Sequence, residues 1–247
     1  MSAAKLTEFD DGLKVFASSV MEVRFLHDEI FRAGCYDHVE LPQRPLVVDA
    51  GANIGMFALY IKRRYPAAEI LAFEPTPESA AVLRQNIELH ALAGITVHEV
   101  ALGSQPEQAA AFTYYPAAPG NSTRYPEETA PAKAAVGRIF SPRVADRLYR
   151  GRDITVPVER LSAFLAPDRP VDLLKIDVEG AELDVLQGVD EAHWPLIRQA
   201  ILEVPEHSGR LTAVCDLLSS HGLETTVGPG PQSDTDSPSR MVHAVRR

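Results

Sequence analysis

Short apolar runs alternate with amphipathic stretches in the first half of the chain. Apolar runs at 46–48, 70–73 and 95–102 predict buried strands, and apolar residues at helical spacing predict helices at 54–65 and 77–90. Parallel strands need crossover connections of about this length, and helices on both faces then bury the strands. The pattern therefore predicts an α/β fold that is built on a mostly parallel sheet.

The same alternation resumes in the last third of the chain. Strands are predicted at 154–158, 171–176 and 199–202, with an antiparallel pair at 223–227 and 241–245. Helices are predicted between them, at 161–165, 181–187 and 211–221. Residues 228–240 are rich in Gly, Pro and Ser, which predicts a mobile hairpin loop between the last two strands.

Two further segments precede or interrupt this pattern. Residues 16–31 have apolar side chains at helical spacing and predict an amphipathic helix before the main fold. Residues 104–152 are rich in proline and tyrosine, and a connection this long inside a domain usually has a function. We therefore expect an N-terminal helical extension or cap at 1–45 and a main domain at 46–247 with a lid-like insertion at about 104–152.

Composition and charge narrow the class of protein. The 247 residues are 45% hydrophobic, which is enough for a full core. The formal net charge of −10 would repel a phosphate backbone, so nucleic acid is not an expected partner. Cys35 and Cys215 are far apart, which disfavours a disulfide scaffold or structural zinc. The chain shows no signal-peptide pattern and no long uncharged apolar segment, so we expect a cytoplasmic protein without membrane contact.

A glycine-containing turn follows the first predicted strand. It places Asp49, Gly51, Asn53 and Gly55 where the backbone can approach a ligand and a helix start offers free N–H groups. Glu74 ends the next strand, where a carboxylate suits ribose hydroxyls. The turn lacks both the GxGxxG of dinucleotide sites and the Gly-Lys-Ser/Thr of phosphate loops. This favours adenosine carried on an amino acid, and the alternative is that the glycines only allow helix–strand packing.

Acidic residues follow two further predicted strands. Asp177 and Glu179 come after the strand at 171–176, while Glu203 and then His207 come after the strand at 199–202. Ligands of open parallel sheets bind beyond the carboxyl ends of the strands, so we expect these side chains at one cleft. Asp177 is the first catalytic candidate, and Glu179 is the candidate for binding a substrate hydroxyl. Asp177 or His207 is expected to take a proton as the general base, and Glu203 is a candidate for a base or an orienting group. Asp177 and Glu203 would also suit a divalent cation, and the sequence leaves that alternative open.

These motifs resemble those of the FkbM-type methyltransferases. The resemblance covers about 22–204, and its most specific motif is Lys-Ile-Asp-Val-Glu-Gly-Ala-Glu at 175–182. It implies a class I methyltransferase fold with a seven-stranded Rossmann-like sheet and S-adenosylmethionine as cofactor. It also implies that Asp49, Gly51, Asn53 and Glu74 hold the cofactor. Further inferences from the resemblance are Ala101 near the adenine, and Asn121 and Ser122 in the lid.

The resemblance implies an activity as well as a fold. The expected activity is O-methylation of a hydroxyl in a polyketide, peptide or sugar-containing secondary-metabolite intermediate, either free or bound to an acyl or peptidyl carrier protein. Methylation of RNA or protein is one alternative, disfavoured by the charge and by the absence of an Asn-Pro-Pro-Tyr-like element at 177–180. A non-catalytic nucleoside-binding module is another, because fold alone does not establish function. A homodimer is compatible with the sequence.

Overall fold

The computed structural model describes residues 4–206, 209–230 and 239–247. The first elements are two paired strands and a helix that continues as a π-helix: β1 Lys5–Glu8, β2 Lys14–Ala17, α1 Val20–His27 and the π-helix Asp28–Arg32. The helix predicted at 16–31 is therefore wrong at its start, because Phe16 lies in β2 and pairs with Leu6. The segment predicted as a helical extension thus contains a β-hairpin, and its boundary at residue 45 stays a prediction.

The central part of the chain follows the predicted alternation of strands and helices. Its elements are β3 Leu46–Ala50, α2 Met56–Arg64, β4 Glu69–Phe73, α3 Pro77–Leu89 and β5 Ile95–His98. Pro77 begins α3, where its missing N–H costs no hydrogen bond.

The insertion contains more regular structure than the sequence pattern indicates. Its elements, with the short strand that precedes it, are β6 Ala101–Leu102, β7 Glu107–Tyr114, α4 Ala130–Ile139, α5 Pro142–Leu148 and β8 Arg152–Glu159. Strands β6, β8 and β7 form a separate three-stranded sheet. The single strand predicted at 95–102 is therefore wrong, because the chain leaves the main sheet after His98. The apolar run at 95–102 indicates that these residues are buried, but it does not show that the chain passes from one sheet to another.

The last part of the chain completes the main sheet. Its elements are β9 Leu173–Ile176, α6 Glu182–Gln187, β10 Gln199–Pro205, α7 Arg210–Ser220, β11 Leu223–Pro229 and β12 Ser239–Arg246. The seven strands lie in the order β11-β12-β10-β9-β3-β4-β5, and only the pairings of β12 are antiparallel. This confirms the predicted fold class and the antiparallel pair. The hairpin loop predicted at 228–240 lies mostly outside the described residues.

Two hydrophobic clusters cover the two faces of the main sheet. Val47 of β3 points into the cluster that includes α2, α3 and the N-terminal segment, whereas its neighbour Val48 points into the cluster with α6 and α7. Val15 and Val23 lie in the first cluster, so the hairpin and α1 are part of the main core. No helix within the described residues is both long enough and apolar enough to cross a membrane.

Candidate active site

A cleft lies at the carboxyl ends of the central strands of the main sheet. Its empty volume, including the open mouth, is about 1430 Å³. The predicted site residues that line it are Gly51, Asn53, Glu74, Ala101, Asn121, Ser122, Asp177, Glu179 and Glu203. Asp49 and Gly55 are not among the lining residues, and His207 lies outside the described residues.

The glycine turn after β3 is pressed against the end of β9. Gly51 has a φ of +80°, and a Cβ atom on it would lie 1.8 Å from the carbonyl oxygen of Asp177. The N–H groups of Gly51 and Ala52 donate to the carbonyl of Phe73 at 3.0 and 2.9 Å. Gly55 has a φ of +89°, and a Cβ there would meet Leu83 of α3 at 2.5 Å. Gly55 therefore allows the close packing of two helices.

Replacing Gly51 with alanine is expected to lower the free energy of unfolding by about 3 kcal/mol or more, because it adds a backbone clash to a left-handed conformation. Gly12→Ala is the matched control, since Gly12 has a φ of +81° with nothing within 4 Å of the added Cβ. Only the conformational cost of about 1–2 kcal/mol is expected there. Urea denaturation of both variants measures the difference, and equal losses would contradict the close approach to Asp177.

Glu74 offers a rigid carboxylate to the cleft. Its Oε2 accepts a hydrogen bond from the Asn53 N–H at 2.9 Å, and its Oε1 accepts from the Thr76 N–H at 2.9 Å and from the Thr76 hydroxyl. The residue is only 6% exposed, and burial raises its pKa although these donors oppose the shift. Three donors fix the carboxylate in one orientation, so its remaining acceptor capacity is directed for a ligand that carries hydroxyl groups.

Lys175 is a buried cation beneath the glycine turn. It is 3% exposed, and its Nζ lies 3.1 Å from Oδ1 of Asp49 and donates to the carbonyl oxygen of Gly51 at 2.7 Å. Asp49 and Lys175 are register partners on the neighbouring strands β3 and β9, which places their side chains on the same face. Burial disfavours the charged form of Lys175 and so acts to lower its pKa. The carboxylates of Asp49 and Asp177 together have the larger effect, so the pKa of Lys175 is raised. Asp49 thus supports the turn through Lys175.

Four further carboxylates gather in the same cleft. Asp177 Oδ2 lies 3.6 Å from Lys175 Nζ, and Glu203 Oε1 accepts a hydrogen bond from the Ser239 hydroxyl at 2.7 Å. Glu179 and Glu29 complete the group, and Glu29 comes from the π-helix. Burial, together with the charge of Asp177, raises the pKa of Glu203 to about 7.

The structure gives the divalent-cation alternative no support. Within residues 4–206, 209–230 and 239–247, no group of three or more His, Cys, Asp or Glu side chains is arranged to hold a metal ion.

Glu29 is expected to make the stability of the protein depend on pH. Burial and then the charges of Glu203 and Asp177 raise the pKa of Glu29 to about 9. The folded state therefore keeps a proton that the unfolded state loses, and the free energy of unfolding falls between about pH 5 and 9, by at most about 1.4 kcal/mol per pH unit. Glu29→Gln should flatten this decline in urea titrations across that range. The exposed Glu88→Gln is the control, and an unchanged slope in Glu29→Gln would argue against the effect.

The insertion reaches the cleft through a short turn. Asn121 Nδ2 donates to the Tyr149 hydroxyl at 2.7 Å, and the Ser122 hydroxyl accepts from the Tyr115 N–H at 3.1 Å. The Thr123 hydroxyl donates to the Glu179 carbonyl at 2.6 Å. Glu179 has a φ of +54°, a conformation that costs energy for a residue with a Cβ and is held here by this contact. The insertion thus fixes the turn that follows Asp177.

Sequence reasoning missed several residues of this site. Lys175 lies within the motif at 175–182, but the sequence pattern gives it no role. Glu22 and Glu29 lie in the helix of the expected cap, where the apolar stripe favours packing over a place in the site. Glu29 lies in a π-helical turn, and such turns often mark functional positions. The sequence does not reveal the π-helix, which becomes visible only in the backbone.

The fold is that of the class I methyltransferases. The crystal structure of methyltransferase FkbM from Methylobacillus flagellatus KT has this fold and superimposes with a TM-score of 0.56 at 15% identity. The match covers 88% of this chain and 47% of that protein. The chain belongs to the FkbM family of S-adenosylmethionine-dependent methyltransferases, because the model of the methyltransferase FkbM domain matches residues 49–223.

Relatives of similar length support this membership. Methyltransferase 1 of Beauveria bassiana (strain ARSEF 2860) is 40% identical over 251 residues and aligns over 100% of both chains. The 31-O-demethyl-FK506 methyltransferase FkbM of Streptomyces tacrolimicus is 35% identical over 234 residues, which cover 90% of this chain and 89% of the relative. The family expected from the sequence motifs is confirmed.

Proposed function

We propose that this protein methylates a hydroxyl oxygen of a secondary-metabolite intermediate. The observation that carries the proposal is a single cleft that is lined both by Glu74 and the glycine turn and by Asp177, Glu179 and Glu203. Glu74 and the turn suit the nucleoside of the methyl donor, and the other carboxylates suit an acceptor that must lose a proton. The name of the Streptomyces relative, which acts on an O-demethyl compound, supports an oxygen acceptor.

The residues of the glycine turn fit the expected cofactor. Asn53 lines the cleft, and its buried Oδ1 has no hydrogen-bond partner within the described residues, which leaves an acceptor for a ligand N–H or O–H group. Glu74 suits the ribose hydroxyls, and Gly51 leaves room for close approach. We propose that these residues hold S-adenosylmethionine, with Ala101, Asn121 and Ser122 at the rim of the same site.

The main contribution of the protein's own residues to catalysis is to position the acceptor hydroxyl and the general base. When bound, S-adenosylmethionine supplies an electrophilic methyl group. The chain holds the acceptor hydroxyl in line with that group, and the Asp177 carboxylate takes the hydroxyl proton as the oxygen becomes a nucleophile. Lys175 and the Thr123–Glu179 contact hold the segment around Asp177 in place. The insertion excludes water from the cleft.

Titration calorimetry with S-adenosylmethionine and S-adenosylhomocysteine tests the cofactor side of the proposal. Glu74→Ala is expected to weaken binding on the order of 10- to 100-fold, because a charged acceptor for hydroxyl donors is removed. Glu88→Gln, an exposed change on α3, should bind like the wild type. Absence of binding to the wild-type protein would contradict the proposed cofactor site.

Isotope labelling tests the acceptor side. S-adenosylmethionine with a labelled methyl group is incubated with the protein and hydroxylated polyketide, peptide or glycoside acceptors, each offered free and as a carrier-protein thioester. We expect the label in a methyl ether, and mass spectrometry with NMR locates it. A label on nitrogen or carbon would refute O-methylation, whereas the preferred form of the acceptor decides whether a carrier protein takes part.

A further inference from the structure

Glu22 of α1 lies where three separate segments meet. Its Oε1 accepts a hydrogen bond from the backbone N–H of Gly120 at 2.6 Å and another from Nδ2 of Asn53 at 3.2 Å. Gly120 belongs to the insertion and Asn53 to the glycine turn, and all three residues line the cleft. One carboxylate oxygen thus joins the N-terminal helix, the candidate cofactor turn and the insertion.

The surroundings of Gly120 show that this contact is specific. The N–H groups of Asn121 and Ser122 bond to backbone carbonyls inside the turn, whereas the N–H of Gly120 bonds to Glu22. A Cβ atom on Gly120 would lie 2.8 Å from Glu22 Oε1 and 3.0 Å from Asn53 Nδ2. The two donors and their shared acceptor are therefore packed so closely that a methyl group does not fit between them.

We propose that Glu22 is a positioning residue that closes the insertion over the cofactor side of the cleft. Through Glu22, the turn that carries Asn121 and Ser122 is held against Asn53. The cofactor turn and the lid are thereby ordered together before a ligand arrives, which lowers the entropic cost of binding. The part of this inference that concerns the cofactor rests on the proposed function, whereas the closing contact itself does not.

The geometry predicts which substitutions keep the contact. Both donors bond to the same oxygen atom, so the amide oxygen of glutamine can accept both hydrogen bonds, whereas alanine can accept neither. Glu22→Gln should therefore behave like the wild type and Glu22→Ala should not. If Glu22 only stabilised α1, the hydrogen bonds that Gly120 and Asn53 donate would not matter. The glutamine and alanine variants would then not differ in this way.

Hydrogen exchange of the Gly120 amide, measured by NMR on the ligand-free protein, tests the closing contact by itself. We expect Glu22→Ala to accelerate this exchange on the order of 10- to 100-fold, because the Gly120 N–H loses its acceptor. Glu22→Gln should stay close to the wild-type rate, and Arg24→Ala, an exposed change on the same helix, is the control. Unchanged protection in Glu22→Ala would overturn the proposal.

A double-mutant cycle tests the link to the cofactor. Gly120→Ala and Glu22→Ala are each expected to weaken S-adenosylhomocysteine binding on the order of 10-fold and to raise KM for the methyl donor more than they lower kcat. In the double variant the added methyl group no longer meets the Glu22 carboxylate and contacts only the end of the Asn53 side chain, so the second change should cost little. Fully additive losses would overturn the proposal. If the wild type bound no cofactor, the proposed function would be wrong. The hydrogen-exchange experiment would still show whether Glu22 holds Gly120 in place.

Discussion

Replacing Lys175 with methionine is expected to lower the free energy of unfolding by about 3–5 kcal/mol, because it leaves a buried carboxylate without its counter-charge. Asp49 is 0% exposed, and its nearest cation is the Nζ of Lys175 at 3.1 Å. The change also removes the donor to the carbonyl of Gly51. Urea denaturation followed through the fluorescence of Trp194, the single tryptophan and a buried one, measures the loss.

Two further variants separate the ion pair from the loss of a buried lysine. Lys62 is also buried but donates to the backbone carbonyls of Pro66 and Ala68, so Lys62→Met should cost only about 1–2 kcal/mol. The double change Asp49→Leu with Lys175→Met replaces both charges by apolar groups and should recover part of the stability. A double variant as unstable as Lys175→Met alone would show that Asp49 is not the source of the loss.

Replacing Asp177 with asparagine is expected to reduce kcat on the order of 10²- to 10⁴-fold, the usual contribution of a general base. Asparagine keeps the size of the side chain but cannot take a proton at neutral pH. Because the proposed role of Asp177 is to take a proton from the acceptor, the affinity for S-adenosylhomocysteine should change little. Steady-state kinetics with a saturating methyl donor, together with calorimetry, separate the two effects.

Glu203→Gln is the informative comparison for this prediction. Glu203 lines the same cleft, and its Oε1 already accepts a hydrogen bond from Ser239, which glutamine can retain. We therefore expect a smaller loss of kcat for this variant than for Asp177→Asn. A larger loss of kcat in Glu203→Gln than in Asp177→Asn would show that Glu203 is the general base. Full activity of both variants would show that neither carboxylate takes the proton.

The sequence predicts the main sheet well because its signals are local. Val47 and Val48 stand next to each other yet belong to opposite hydrophobic clusters, and a run of such residues marks a strand that is buried on both sides. Most of the predicted site residues that follow β3, β4 and β9 line one cleft, although Asp49 and Gly55 do not, because parallel strands bring their carboxyl ends to one edge of a sheet.

Contacts between distant segments account for what the sequence did not reveal. Glu22 and Gly120 are separated by 98 positions, and no periodicity records which oxygen will meet which N–H group. The N-terminal hairpin was missed because each of its strands is only four residues long, which is too short for a clear alternation of apolar and polar positions. The buried role of Lys175 became visible only when the register placed it beside Asp49.

The small sheet fixes where the insertion begins and ends. The chain leaves β7 at Tyr114 and returns to β8 at Arg152, and these two residues are register partners. The guanidinium of Arg152 also lies 5.0 Å from the centre of the Tyr114 ring. Because the two ends are held side by side, the length of the chain between them can change at little cost in loop-closure entropy. Residues 115–151 thus form a segment whose length can vary between fixed ends, provided that Gly120 and Thr123 keep their contacts with Glu22 and Glu179.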